Sequence, residues 1–507
     1  MSNSSINTED PISISSFSDI EKPDYFLDHT LQIEETRSEE SESRNNKTNK
    51  FKCLNRNCKN YIIAIIVLVV VFILAIVFAV KSNALLDDPI RNGLKKELLS
   101  THTFQHLKAI KTNLIDPSTP TDSIGDWNLV FSDEFTQDNR TFNEYEDQFF
   151  TAIDLYYQAT HDLEYYLPQM ITTKNSFLQI KFDKFNYYND LLYISGMLQS
   201  WNKLCFNKQA RIEVMANLPQ VESGLWPAVW SLGNLARPGY LASTDGIWPY
   251  TYNECDLGTL PNQSTTNERM SYLPGQRLSK CTCFGNDHPN IGIGRGAPEI
   301  DIIEGLFQYN RTWGVQTVQV APFDEWWRPD YEFIDITNQN ETIIREDVGT
   351  VYQESISLAT KLNLDKFVKF TMEFESLDYN SSYIKFEIDD KQVFQINGSA
   401  LHSNEFISYR QITKEPMSLI FNLGLSKIWN PNINESNLNL PSIFYIDYIR
   451  IYQKHQELTC DPKDYPTNSY INSHLNAYLN PNLLTWNEAG FQFPNNSLIN
   501  QCKSPKN

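Results

Sequence analysis

The chain has 507 residues, 41% of them hydrophobic and 13% aromatic, which is ample core material and too much for a wholly disordered protein. Its 62 acidic against 42 basic side chains give a formal charge of −20, and no basic patch stands in the folded part, which argues against a nucleic-acid partner. Nineteen glycines and 24 prolines exclude a collagen-like chain, and eight cysteines are too few for a disulfide miniprotein but enough to staple a secreted domain.

In chain order, residues 1–60 are polar and rich in Ser, Asn, Asp and Glu, the composition of a disordered tail. Residues 61–80, YIIAIIVLVVVFILAIVFAV, carry no charge, glycine or proline. As a helix this run would span about 30 Å, the hydrocarbon thickness of a bilayer. Its β-branched residues disfavour a helix in water, but in lipid the backbone has no other way to satisfy its hydrogen bonds. The run is longer than the apolar part of a cleavable signal peptide and sixty residues precede it, so it is expected to act as a signal anchor. Arg44, Lys47, Lys50, Lys52, Arg56 and Lys59 lie before it, whereas Lys81 stands alone behind it until Arg91. The positive-inside rule therefore predicts a single-pass type II protein with a cytosolic tail 1–60 and a lumenal or extracellular bulk. Cys53 and Cys58, at the cytosolic membrane face, are candidates for palmitoylation.

Residues 81–124 read as a stem with one helical pattern, from Ile90 to Leu107. From 125 to 455 the text changes to short apolar-alternating runs separated by Asn, Asp, Gly and Pro: WNLVF, FLQIKF, RIEVMANL, FVKFTMEF, YIKFEI, KQVFQI, SLIFNLGL and FYIDYIRIY. This predicts an all-β, antiparallel β-sandwich and not βαβ repetition. Residues 456–507 form a C-terminal extension, where a bridge between Cys460 and Cys502 would tie the tail back. The other lumenal cysteines are Cys205, Cys255, Cys281 and Cys283; six allow 15 pairings, and spacing does not choose among them. No CxxC pair points to zinc; no metal ligand set and no cofactor is expected. Eight sequons on the same side, at Asn139, Asn262, Asn310, Asn340, Asn380, Asn397, Asn434 and Asn495, are candidate glycosylation sites.

The sharpest local feature is Pro298-Glu299-Ile300-Asp301-Ile302-Ile303-Glu304-Gly305. On a strand, Glu299 and Asp301 share a face because side chains alternate, and Glu304 would point away. One extra residue, a β-bulge around Ile302-Ile303, would return Glu304 to the first face and leave the isoleucines in the core. Retaining glycoside hydrolysis needs such a pair of carboxyls, one attacking the anomeric carbon and the other serving as acid and then base. A third acid between them can help hold the two pKa values apart. An acidic stripe on a solvated strand, or a cation site, is the plainer alternative for the same spacing. His288 and His455 lack a nearby Ser or Cys partner arrangement and are not taken as catalytic.

In this setting ExDxxE resembles glycoside hydrolase family 16, the β-jelly-roll enzymes acting on β-glucans and galactans. Trp127–Phe135 is similar to that family's opening strand, Gly224-Leu225-Trp226-Pro227-Ala228-Val229-Trp230 to its cleft segment, and Phe444–Tyr452 to its closing strand. SGMLQSWNK from Ser195, RPGY from Arg237, SYLPGQR from Ser271 and GRGA from Gly294 further resemble the fungal β-1,6-glucan synthesis-associated branch, type II membrane proteins of the secretory pathway. The resemblance implies a jelly roll with Glu299 as nucleophile, Asp301 as its helper and Glu304 as acid/base. It also implies β-glucan chains or oligosaccharides as partners and a Golgi, endoplasmic-reticulum or plasma-membrane location.

Two departures from the resembled pattern stand out. Glu373-Phe374 replaces a frequent Glu-Trp, which bears on sugar stacking at one subsite. The insertion between Trp230 and Glu299, with Cys255, Cys281 and Cys283, is long enough to narrow or cap a cleft. For the sugar platform, Trp226 and Trp230 lie four apart and share a strand face, while of the adjacent Trp326 and Trp327 only one can face a cleft in an extended segment. The implied activity is a retaining β-glucan glycosidase or transglycosylase; the competing function is a non-catalytic glucan-binding or chaperone-like component of β-1,6-glucan assembly.

Overall fold

The computed structural model describes residues 114–120, 123–188, 191–255, 275–322, 329–345, 355–364, 366–403, 407–500 and 502. The anchor 61–80, the helical stem pattern, Cys53, Cys58, Asn262, Trp326 and Trp327 lie outside these residues. Among the described residues no helix is long and apolar enough to cross a membrane.

Each of the eight alternating runs is a strand. RIEVMANL falls in Gln209–Asn217 up to its last residue, FVKFTMEF in Val368–Glu375 after its first, and FYIDYIRIY lies within Ser442–Gln453. With the other strands among the described residues they build two stacked sheets, one of 12 strands and one of nine. Among the described residues every strand pair is antiparallel except Glu164–Tyr166 with Leu191–Ser195. Between the sheets lies the main core, to which the strands contribute alternate residues such as Ile212, Val214, Phe370, Met372, Phe421, Ile449 and Ile451. This is the all-β sandwich that the alternation predicts, because a period of two gives each strand one apolar face.

The nine-stranded sheet carries the acids. At its centre, Glu299–Gln308 pairs with Trp226–Gly233 on one side and Arg311–Gln319 on the other. Trp226–Gly233 pairs onward with Met417–Gly424. Val229 points into the main core, while Ala228, Trp230 and Leu232 point the other way into a second core. That second core is closed by Leu235, Tyr240, Ile247 and Leu278 of the insertion and by Tyr470, Ile471, Tyr478 and Trp486 of the C-terminal segment. Insertion and C-terminal segment therefore cover one part of the outer face of this sheet, next to the acidic strand.

The Cys460–Cys502 bridge is not formed. Cys460 pairs with Cys205, Cys502 with Cys283, and Cys255 with Cys281. The C-terminal segment is thus tied at both ends to the body and not to itself. The reason is its packing: the helices Asn468–Ser473 and Leu475–Leu479 bury Tyr470, Ile471, Ala477 and Tyr478 in one core with the insertion, so the segment's cysteines meet the body and not each other. At the other end of the domain, residues 114–120 dock on the strand Asn128–Asp133, where Ser132 N donates to Leu114 O at 2.9 Å. The sandwich therefore gathers residues from the stem region and the C-terminal extension on either side of 125–455.

Glu373-Phe374 belongs to the 12-stranded sheet. Phe374 is wholly buried between the sheets against Phe206, and Glu373 binds Arg211 and Lys385 on the opposite face. The substitution relative to Glu-Trp falls in the core and not beside the acids. Of the described sequon asparagines, Asn139, Asn310, Asn340, Asn380, Asn434 and Asn495 are exposed. Asn397 is half-buried, and its amide donates to Phe333 O and Asp335 Oδ2.

Candidate active site

The bulge forms. Against Arg311–Gln319, Asp301 pairs with Thr317 and Glu304 with Val315, so three steps on the acidic strand meet two on its neighbour. Against Trp226–Gly233, Asp301 faces Trp230 and Ile303 faces Val229, which leaves Ile302 as the extra residue. Ile300, Ile302 and Ile303 all enter the main core, and the three acids share the other face. Three carboxyls are thereby brought together by apolar residues that need the core more than the strand needs regularity.

Burial dominates their electrostatics. Glu299 is pushed up to about 7 by desolvation, against the hydrogen bond from Trp248. Glu304 is pushed up to about 8 by desolvation and by the charge of Glu299, opposed by Arg345 and by the Trp226 hydrogen bond. Asp301, only 2% exposed, is raised well above the usual carboxylate range by desolvation and by its two acidic neighbours.

Each outer acid has its own indole. Trp226 Nε1 donates to Glu304 Oε1 at 3.0 Å, and Trp248 Nε1 donates to Glu299 Oε2 at 2.9 Å. Gln319 Nε2 donates to Glu299 Oε1 at 2.5 Å and lies against Asp301. Asp301 Oδ2 has no hydrogen-bond partner among the described residues. A buried carboxyl in that state is favoured as the neutral acid, which lets it hold a proton beside Glu299.

The tryptophan pair divides. Trp226 is half-buried and stacks on Trp429, with ring centroids 4.7 Å apart and planes 7° from parallel. Trp230 is 7% exposed, and its Nε1 donates to Asn422 Oδ1 at 2.8 Å. Asn422 in turn donates to Tyr166, whose hydroxyl reaches Asp162. Trp230 is therefore the buried cross-strand neighbour of Asp301, and Trp226 with Trp429 forms the accessible aromatic surface beside Glu304. The Arg345 guanidinium lies 5.2 Å from the Trp429 ring centroid.

Trp248, Gln319, Trp429 and Arg345 are absent from the candidates that the sequence offers. Gln319 was within reach: it is the register partner of Glu299 on the next strand and follows from pairing ExDxxE with RTWGVQTVQ. Trp248 and Trp429 come from loops, whose approach to the acids follows no periodicity. His288 is half-buried, not solvated, and burial lowers it to about 4.

The fold and site define a jelly-roll sandwich with a bulged strand that carries three carboxyls, two of them buried and Glu299 half-buried, flanked by indoles. The chain belongs to the family of beta-glucan synthesis-associated proteins SKN1/KRE6/Sbg1, which it matches over residues 14–502. It is 44% identical to the beta-glucan synthesis-associated protein KRE6 of Saccharomyces cerevisiae, over 88% of this chain and 64% of that protein. To the beta-glucan synthesis-associated protein SKN1 of the same yeast it is 46% identical, over 80% of this chain and 55% of that one. The chain thus spans less than two thirds of the length of these two relatives. Among solved structures, the endo-beta-1,3-glucanase of Pyrococcus furiosus is similar at 19% identity and a TM-score of 0.41, covering 66% of this chain and 98% of that one.

Proposed function

We propose that this chain is a retaining β-glucan glycosidase or transglycosylase that serves the assembly of cell-wall β-1,6-glucan. The observation that carries this reading is the bulge at Ile302, which gathers Glu299, Asp301 and Glu304 on one face. In the first step a Glu299 oxygen attacks the anomeric carbon, the glycosidic C–O bond breaks, and the Glu304 proton passes to the leaving oxygen. In the second step an acceptor O–H attacks the same carbon, Glu304 takes its proton, and the ester bond to Glu299 breaks. Asp301, held neutral, stabilises the carboxylate that Glu299 presents before attack and after release. The Trp226–Trp429 surface lies beside Glu304 and is placed to meet the sugar on the leaving-group and acceptor side.

Transfer rather than hydrolysis follows if the acceptor is a sugar hydroxyl, and burial of Asp301 and Glu304 favours exclusion of water. We further place the domain on the lumenal or extracellular side of a secretory-pathway membrane, held by the 61–80 anchor with residues 1–60 in the cytosol. The three disulfides support an oxidising compartment. The test is incubation of the detergent-solubilised full chain with β-1,3- and β-1,6-linked gluco-oligosaccharides, with product lengths read by mass spectrometry. Products longer than the donor mean transfer, and only shorter ones mean hydrolysis. No product from wild type would favour the non-catalytic glucan-binding reading, and equal product from Glu299→Gln would overturn the role given to Glu299.

A further inference from the structure

Three arginines of the insertion, all buried, reach into the C-terminal segment. Arg237 donates to Tyr478 O at 2.7 Å, and Arg295 to Pro466 O at 2.8 Å. Arg277 donates to the Tyr470 hydroxyl at 2.7 Å and lies 3.5 Å over the Trp486 ring. A guanidinium so placed joins a stacking contact and directed hydrogen bonds, which an ammonium would not reproduce.

Arg277 also grips the loop that delivers Trp248. Its Nε donates to Asp245 O at 2.8 Å, and its backbone N donates to Gly246 O at 2.7 Å. From the C-terminal segment, Trp486 N donates to Asp245 Oδ2 at 2.8 Å. Gly246 has a left-handed φ of +71°, and a Cβ there would meet Phe493 of the same segment at 2.7 Å. One residue further, Ile247 O accepts from Ala297 N at 2.8 Å, two residues ahead of Glu299. The next residue is Trp248, whose indole holds Glu299. The loop is clamped between the C-terminal segment on one side and the start of the acidic strand on the other.

We propose that Arg277 and the C-terminal residues Tyr470 and Trp486 are positioning residues for Glu299, acting through Asp245, Gly246 and Trp248. The C-terminal segment is then part of the active-site wall, although none of its described residues is hydrogen-bonded to a carboxyl of the site. The placement of Glu299 is argued from contacts alone, and only the expected change in kcat rests on the proposed function.

The test labels the full chain with 5-fluorotryptophan, giving one ¹⁹F signal for each of its ten tryptophans. The Trp248 signal is assigned by its loss in Trp248→Phe. In wild type it should shift as Glu299 ionises, and Glu299→Gln should abolish that shift. In Arg277→Ala the Trp248 signal should lose its pH response while the Trp230 and Trp313 signals keep their positions. Tyr470→Phe removes a single hydroxyl and should weaken the response in the same sense; it decides the matter alone if Arg277→Ala does not fold. A Trp248 signal that titrates as in wild type in the folded variants would overturn the proposal. In active protein, Arg277→Ala should lower kcat roughly 10–100-fold with KM little changed, the cost of a misplaced reacting group. Because the signal reports ionisation and not turnover, an inert wild type with a titrating Trp248 would sink the proposed function and leave this inference standing.

Discussion

Trp226 donates its indole hydrogen to Glu304 across two adjacent strands, at 3.0 Å. The acid is thereby held by the same ring that stacks on Trp429, so in the proposed mechanism Trp226 would serve both sugar contact and the proton donor. Replacing Trp226 by Phe keeps an aromatic face and removes the donor. The hydrogen bond lowers the Glu304 pKa, so its loss should raise it further. The alkaline limb of the pH–rate profile should move upward in Trp226→Phe, and an unmoved limb would show that the indole does not tune Glu304.

The directions of the acid pKa values set a narrow working range. Glu299 must be ionised to attack, which requires pH above about 7, and Glu304 must keep its proton, which requires pH below about 8. Activity should therefore rise through about 7 and fall through about 8, a bell with little plateau. A flat profile from pH 5 to 9 would contradict the assignment.

Stability should run the opposite way to that of a protein held by salt-bridged carboxylates. Burial raises Glu299, Asp301 and Glu304 in the folded state, so folding takes up protons. Their contribution is fully present below the unfolded pKa values, near 4, and is lost as pH rises through about 7 and 8. Tm should fall between pH 6 and 9, and Glu299→Gln with Glu304→Gln should flatten that fall. A slope unchanged in the double variant would place the pH dependence elsewhere.

Glu299 and Glu304 should separate by leaving group. A donor with an acidic phenol as leaving group needs no proton, so Glu304→Gln should still release it, whereas Glu299→Gln should lose 10³-fold or about that much on every donor. Phenol release measured by absorbance distinguishes the two. Equal losses on the activated donor would argue that the roles are wrongly divided.

The bridge between Cys205 and Cys460 spans 255 residues. Its removal in a Cys205→Ser, Cys460→Ser pair should cost about 2–5 kcal/mol, seen as a lower denaturant midpoint. A midpoint within error of wild type would mean that the second core, the arginine contacts and the Cys283–Cys502 bridge hold the C-terminal segment without it.

The strands, the two-sheet sandwich and the bulge were legible in the sequence, because alternation and the ExDxxE spacing are local signals. Ile302 shows this best: its place in the core follows from the pattern of three isoleucines among three acids. What lay hidden was brought in by distant chain. Trp248 and Trp429 approach the acids from loops, and Arg277 meets Trp486 across some two hundred residues. The cysteines show the same limit, since the Cys460–Cys502 proximity in sequence gave way to bridges that follow how the C-terminal segment lies on the insertion.

The central claim is that Glu299 forms a covalent bond to the sugar. A 2-fluoro-substituted β-glucosyl donor with an activated leaving group slows both steps but the second more, so an ester should accumulate. After incubation of the full chain, peptide mass spectrometry should find one fluoroglucosyl unit on Glu299, absent in Glu299→Gln and released by an added gluco-oligosaccharide. A folded protein that binds glucan and carries no adduct on Glu299, or carries it equally on another acid, would contradict the account.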